Sequence, residues 1–223
     1  MPLQTLPVWI QISAFFLALN AGMINVLAIL NVSHQAISHM TGNVSYLVVD
    51  LLQQNWFNVL FLFGVIFFFM LGAFYSGFII RDANLRFGRR YGAVLSLEAI
   101  FLLMSWLFIT HYPHYALLWA ATACGMQNAL ASTYKGTIIR TTHLSGVLTD
   151  LGLAIGYKVR GLYVSPKRIV LHVLIVFGFF TGGIIGGFAF HLSPDQSFLY
   201  PTVLTIILAT TYWYFFFKHN TNH

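Results

Sequence analysis

The sequence predicts an all-α polytopic membrane protein of six transmembrane helices plus two short re-entrant half-helices, arranged as two inverted-topology repeats. Three observations predict it. Only 7% of the 223 residues are charged, against roughly 25% in soluble domains, so the chain cannot coat a water-facing surface. Apolar runs of about 20 residues recur, the length an α-helix needs to cross a ~30 Å hydrocarbon core. Every Lys and Arg falls in a short connection beside such a run. A β-barrel is not expected, because barrel strands alternate polar with apolar residues and these runs are apolar throughout.

The first span is Pro7–Leu30, with a polar interruption at Asn20–Asn25. Its length lets it remain as a span, and Met1–Pro7 contains no Lys or Arg, so no cleavable signal peptide is expected. Ser38–Gln53 (SHMTGNVSYLVVDLLQ) is too brief to cross comfortably. Trp56–Ile80 is a long apolar helix, followed by a connection holding Arg81, Arg86, Arg89 and Arg90. Gly92–His111 spans and carries Glu98; a tight turn around Pro113 leads to the span Tyr115–Tyr134, which contains CGMQNA. Thr141–Gly156 (TTHLSGVLTDLGLAIG) follows. Its ~15 helical residues reach only ~22 Å. Ile169–His191 and Leu199–Phe217 complete the spans. No hydrophilic block exceeds a loop, so residues 1–223 form a single membrane domain.

Thr141–Gly156 is the stretch on which the topology turns. Lys135 and Arg140 precede it; Lys158, Arg160, Lys167 and Arg168 follow it. Basic residues collect on the cytoplasmic face, so a segment flanked by them at both ends enters and leaves on one side. With both short segments re-entrant, all eleven Lys and Arg, Lys218 included, lie inside together with both termini. If both short segments cross instead, five of the eleven move outside. The net charge of +6 is therefore an orientation signal, with attraction to anionic lipid as a second effect, and a nucleic-acid partner is not expected.

An internal repeat is visible. Gly22-Met-Ile-Asn25 answers Gly125-Met-Gln-Asn128 at 103 positions, and His39-Met-Thr-Gly42 answers His143-Leu-Ser-Gly146 at 104. Gly72, Gly77 and Phe78 answer Gly182, Gly187 and Phe188 at 110. The repeats are 7–111 and 115–217. Three spans per half is an odd number, so the second copy is inverted relative to the first.

Inverted repeats with broken helices are the architecture of many transporters and some channels, whose sites lie at half-helix ends near the midplane. Such an end points unpaired N–H groups and the positive end of its dipole at the centre. Thr41, Gly42 and Asn43, with Ser145 and Gly146, sit near these starts; Thr and Ser suit helix caps, and Gly permits close backbone approach. Asn25, Gln127 and Asn128 are candidates to orient a solute, and so is the His39/His143 pair related by the repeat. The bland alternative is that the carboxamides, Asn20 among them, only join helices and that the histidines make structural hydrogen bonds. Two His without a carboxylate at ligand spacing do not predict a metal site. Asp150 and Glu98 are acids within apolar segments, where a carboxylate marks a pathway or an anchor; they are the candidates for ion or proton coupling. Gly178, Gly182 and Gly186 form a close-packing face, within the chain or in a homo-oligomer. The lone Cys124 excludes an internal disulfide.

The strings AG at Ala21–Gly22, SHMTGNV at Ser38–Val44, GMQNA at Gly125–Ala129 and RTTHLSGVLTDLG at Arg140–Gly152 resemble the YoaK-like family, a bacterial group catalogued as domain of unknown function 1275. The resemblance covers nearly the whole chain and implies a six-span inner-membrane protein with no established activity. Family members commonly carry an Asp three residues after the first glycine; this chain has Asn25.

The function expected is a small transporter or channel for a small polar solute or ion, with proton coupling as a variant. The rival is a non-transporting assembly or regulatory protein, and behind it an enzyme acting on lipid. No catalytic set, nucleotide loop or GxSxG elbow is present, so neither catalysis nor a cofactor is expected.

Overall fold

The computed structural model describes residues 7–33, 36–80, 89–132 and 141–220. Arg81, Arg86, Lys135 and Arg140 lie outside the described residues. The described chain forms eight α-helices: α1 (Val8–Ala28), α2 (Met40–Leu52), α3 (Trp56–Ile79), α4 (Arg89–Ile109), α5 (Pro113–Ser132), α6 (Leu144–Val159), α7 (Pro166–Leu192) and α8 (Leu199–Asn220). The polar interruption at Asn20–Asn25 does not break α1. The helix continues through it and loosens only at a π turn, Ile29–Ser33.

Five helices, α1, α3, α4, α7 and α8, are long and apolar enough to cross a membrane, one fewer than the sequence predicts. The sixth span predicted, α5, has the length, at 20 residues, but Gln127 and Asn128, with His114 at its start, lower its hydropathy. Its position explains this. Helices α3, α4 and α1 surround it, and Ala116, Leu117, Ala120, Ala121, Ala123 and Cys124 are buried. A helix covered by protein needs small residues for close approach rather than a lipid-soluble surface. On α3 the opposite holds: Leu62, Val65, Gly72 and Ser76 face inward, while Leu60, Phe63, Met70 and Phe74 project outward. Large apolar side chains exposed over a whole helix require an apolar surrounding.

Two glycine crossings fix the helix directions. A Cβ on Gly22 of α1 would collide with the Phe179 carbonyl of α7, and one on Gly182 of α7 with the Leu19 carbonyl. In the other crossing, a Cβ on Gly125 of α5 would strike the Phe69 carbonyl of α3, and one on Gly72 of α3 the Thr122 carbonyl. Gly178 likewise meets Phe15, and Gly186 meets Met23. Contacts that advance together along both chains, Phe15–Gly178, Leu19–Gly182 and Met23–Gly186 in one pair and Phe61–His114, Gly64–Leu118 and Gly72–Thr122 in the other, make α1 parallel to α7 and α3 parallel to α5. The glycine face of α7 is thus spent inside the chain. Gly92 of α4 meets Trp213 near the end of α8, so these two run antiparallel. The start of α1 therefore lies with the starts of α4 and α7 and the ends of α3, α5 and α8. Arg89, Arg90, Lys167, Arg168 and Lys218 share this basic end, and the short α6–α7 connection brings Lys158 and Arg160 to it.

Each short helix folds back on the long helix after it, α2 on α3 and α6 on α7. Both are under the ~30 Å needed to span: α2 has 13 residues and α6 has 16.

Candidate functional site

The two short helices start in the same way. The residue before α2 is His39 (φ −95°, ψ 71°); the residue before α6 is His143 (φ −101°, ψ 73°). The histidines therefore hold the cap positions, and neither makes a side-chain capping bond. This corrects the expectation that Thr41 and Ser145 are caps. Both lie in the first turn, exposed, and their carbonyls accept hydrogen bonds one turn on, from Ser45 Oγ at 3.0 Å and Thr149 Oγ1 at 2.8 Å.

A carboxamide on the preceding long helix holds each start. Ser38 N–H donates to Asn25 Oδ1 at 3.1 Å, and Asn25 Nδ2 donates to Ser38 Oγ at 2.5 Å and to the Ala21 carbonyl at 3.1 Å. In the second half, Thr142 Oγ1 donates to Asn128 Oδ1 at 2.8 Å and lies 3.2 Å from His143 Nδ1. Asn25 is buried. The two clamps use residues that the repeat offsets relate, 25 with 128 and 38 with 142. His39 and His143 are both exposed; the His39 ring centre is 6.1 Å from that of Phe179. Beside them nothing among the described residues lies within 4 Å of where a Cβ on Gly42 would stand. Gly146 occupies the matching place in α6 and is half-buried. Asn43, one residue past Gly42, is buried, and its Nδ2 has no partner among the described residues.

Gln127 does not join Asn128. It enters a separate polar knot at the meeting of α1, α4, α5 and α8. There Asn20 Nδ2 lies 3.0 Å from Thr205 Oγ1, 3.2 Å from Gln127 Oε1 and 3.3 Å from Glu98 Oε1. Gln127 Nε2 donates to the Leu17 carbonyl at 2.8 Å and reaches Thr141 Oγ1 at 3.5 Å. All four principal members are enclosed, none more than 1% exposed. Asn20 Oδ1 and Glu98 Oε2 have no partner among the described residues. Thr141 ties this knot to the segment leading into α6.

Asp150 lies elsewhere. About two turns along α6 from His143, it faces α7, with Oδ1 3.7 Å from Arg168 Nη2 and Oδ2 3.9 Å from His172 Nε2. Its side chain is 44% exposed. The two candidate coupling acids thus belong to different clusters.

Several members of these clusters escaped the sequence reading. Ser38 and Thr142 carried a usable signal, since each directly precedes the repeated histidine. Asp50, buried near the end of α2 with Asn55 Nδ2 3.5 Å from its Oδ1, was a third acid in an apolar segment. Thr205 carried no signal, because only the packing of α8 brings it to Asn20. Among the described residues no group of three or more His, Cys, Asp or Glu could hold a metal ion.

A family model described as "Protein of unknown function (DUF1275)" matches residues 13–211. No curated protein and no solved structure matches the chain.

Proposed function

We infer a role for this chain from its own geometry, because it belongs to the DUF1275 family, a family described only as proteins of unknown function. The reading is a small transporter or channel for a small polar solute or ion. Six long helices would span the bilayer, α5 within a sheath of the others. The short helices α2 and α6 would dip in from opposite faces as half-helices of two inverted repeats. The parallel pairs α1/α7 and α3/α5 support this, since they leave each short helix with its entry and exit at one end of the bundle. The gathering of the described Lys and Arg at one end supports an inside location for both termini.

One observation carries the reading: equivalent clamps, Asn25–Ser38 and Asn128–Thr142, hold two helix starts, each led by a histidine. A helix start leaves its first N–H groups without intrahelical partners, and its dipole favours negative or acceptor atoms. Two such starts with His39, His143 and the open flank of Gly42 form a place for a solute bearing acceptor oxygens. Ser145, Gly146, Thr41 and Asn43 would complete it. Glu98 is better placed than Asp150 for coupling. It is enclosed at the junction of four helices, and Gln127 and Thr141 link it to the α6 start.

Thermal-shift screening of small polar solutes and ions on the purified protein, followed by flux into proteoliposomes, tests the reading. We expect a solute whose stabilising shift disappears in a His39→Ala/His143→Ala variant. If no solute stabilises the protein and none crosses, the rival gains: a non-transporting membrane component whose buried knot only joins helices. The complete enclosure of Glu98 is the observation in that rival's favour.

A further inference from the structure

Outside the bundle centre, the described residues form a groove of about 680 Å³ between α1, α4, α8 and the end of α5. We propose that it binds an anionic phospholipid of the bilayer, with one acyl chain lying along the helices and the phosphate at Arg89, Arg90 and Lys218. The proposal takes from the preceding reading only that the chain sits in a membrane, and nothing about transport.

Three features select this occupant. The first is length. On α1 the lining runs from Trp9 to Leu17, and on α8 from Leu204 to Phe215, or ~12 Å and ~16 Å at 1.5 Å per residue. One leaflet of a ~30 Å hydrocarbon core is ~15 Å deep, so the groove matches a single acyl layer. The second is polarity along its axis. The inner part is lined by aliphatic side chains such as Leu17, Leu95 and Ile207, whereas Trp9, Tyr91 and Tyr212 stand toward the basic end, where amphipathic rings favour the headgroup level. The third is charge. Arg89 and Arg90 immediately precede Tyr91, and Lys218 follows Phe215 within one turn. Among the described residues no Asp or Glu lines the groove. Basic residues flanking a cleft between transmembrane helices favour anionic headgroups.

Delipidated protein in detergent, titrated with phosphatidylglycerol or phosphatidylcholine and read by native mass spectrometry, tests this. We expect one phosphatidylglycerol per chain, held well above phosphatidylcholine. Arg89→Gln/Arg90→Gln/Lys218→Gln should weaken it roughly 100-fold, since three basic residues contribute about fivefold each. A Leu208→Trp change, filling the groove at a half-buried position, should lower retention without touching the charges. Equal retention of both lipids, unchanged in the triple variant, overturns the proposal. So does a lipid-free chain, whether monomeric or paired with a second copy through this face. None of these readouts depends on flux.

Discussion

Asn25 and Ser38 hold each other through two hydrogen bonds, one in each direction, the Ser38 amide to Oδ1 at 3.1 Å and Asn25 Nδ2 to Ser38 Oγ at 2.5 Å. The pair joins the last third of α1 to the start of α2, and both residues are buried. Removing the carboxamide leaves the Ser38 amide orphaned, at about 1–3 kcal/mol for an unsatisfied buried group. Asn25→Ala should therefore lower Tm clearly. Asn25→Asp keeps an acceptor for the amide and should fall between. Thermal unfolding in detergent decides it, and an Asn25→Ala protein as stable as wild type would remove the clamp from the account.

The glycine crossings make a sharper contrast. At Gly22 and Gly125 a methyl group would meet backbone carbonyls, Phe179 and Phe69, which cannot swing aside as a side chain can. Gly22→Ala and Gly125→Ala should each force their helix pair apart, with a cost above the ~1–3 kcal/mol of ordinary overpacking. At Gly42 nothing among the described residues lies within 4 Å of an added Cβ, and alanine is the better helix former by about 1 kcal/mol. Gly42→Ala should match or exceed wild type in Tm. Should it also lose solute binding, close approach of the solute to the α2 backbone is the simplest cause.

These glycines show what was legible in the chain. Each crossing has glycine on both helices; the repeat offsets related Gly22 to Gly125 and Gly72 to Gly182, and the four-residue spacing marked the α7 face, but which glycines meet was not visible. The brevity of α2 and α6 was equally visible, since apolar runs of that length cannot span. The place of α5 was not. The sequence reads Tyr115–Tyr134 as a span like the others, and only packing shows that α3 and α4 cover it. Partnerships between distant elements were hidden for the same reason. Asp150 with Arg168 requires the α6–α7 hairpin, and Asn20 with Thr205 requires α8 to close on α1.

Glu98 and Asn20 each present an oxygen without a partner among the described residues in a contact they already share, Glu98 Oε2 and Asn20 Oδ1. A glutamine at 98 brings an N–H donor to that contact while its oxygen can still accept from Asn20. Glu98→Gln should hold or raise Tm. Glu98→Ala leaves the Asn20 amide short of a partner and opens a cavity, and should lower Tm by the equivalent of about 2–4 kcal/mol. If Glu98 couples flux to protons, Glu98→Gln retains the fold and abolishes proton-driven accumulation. A Glu98→Gln protein that accumulates solute normally excludes that role.

Asp150 is set for a different result. Its partners Arg168 and His172 lie at 3.7 and 3.9 Å, with the carboxylate 44% exposed. Ion pairs at this exposure contribute ~0–1 kcal/mol, and added salt screens them. The geometry is that of an anchor fastening α6 to the start of α7. Asp150→Asn should shift Tm by a degree or two at most and leave flux intact, and raised salt should shrink the difference from wild type. A swap, Asp150→Arg with Arg168→Asp, should recover whatever small stability each single change loses. Loss of flux in Asp150→Asn at unchanged Tm, not restored by the swap, would make this carboxylate a working part of the pathway, because a fastening tolerates exchange of its two ends and an ion-binding group does not.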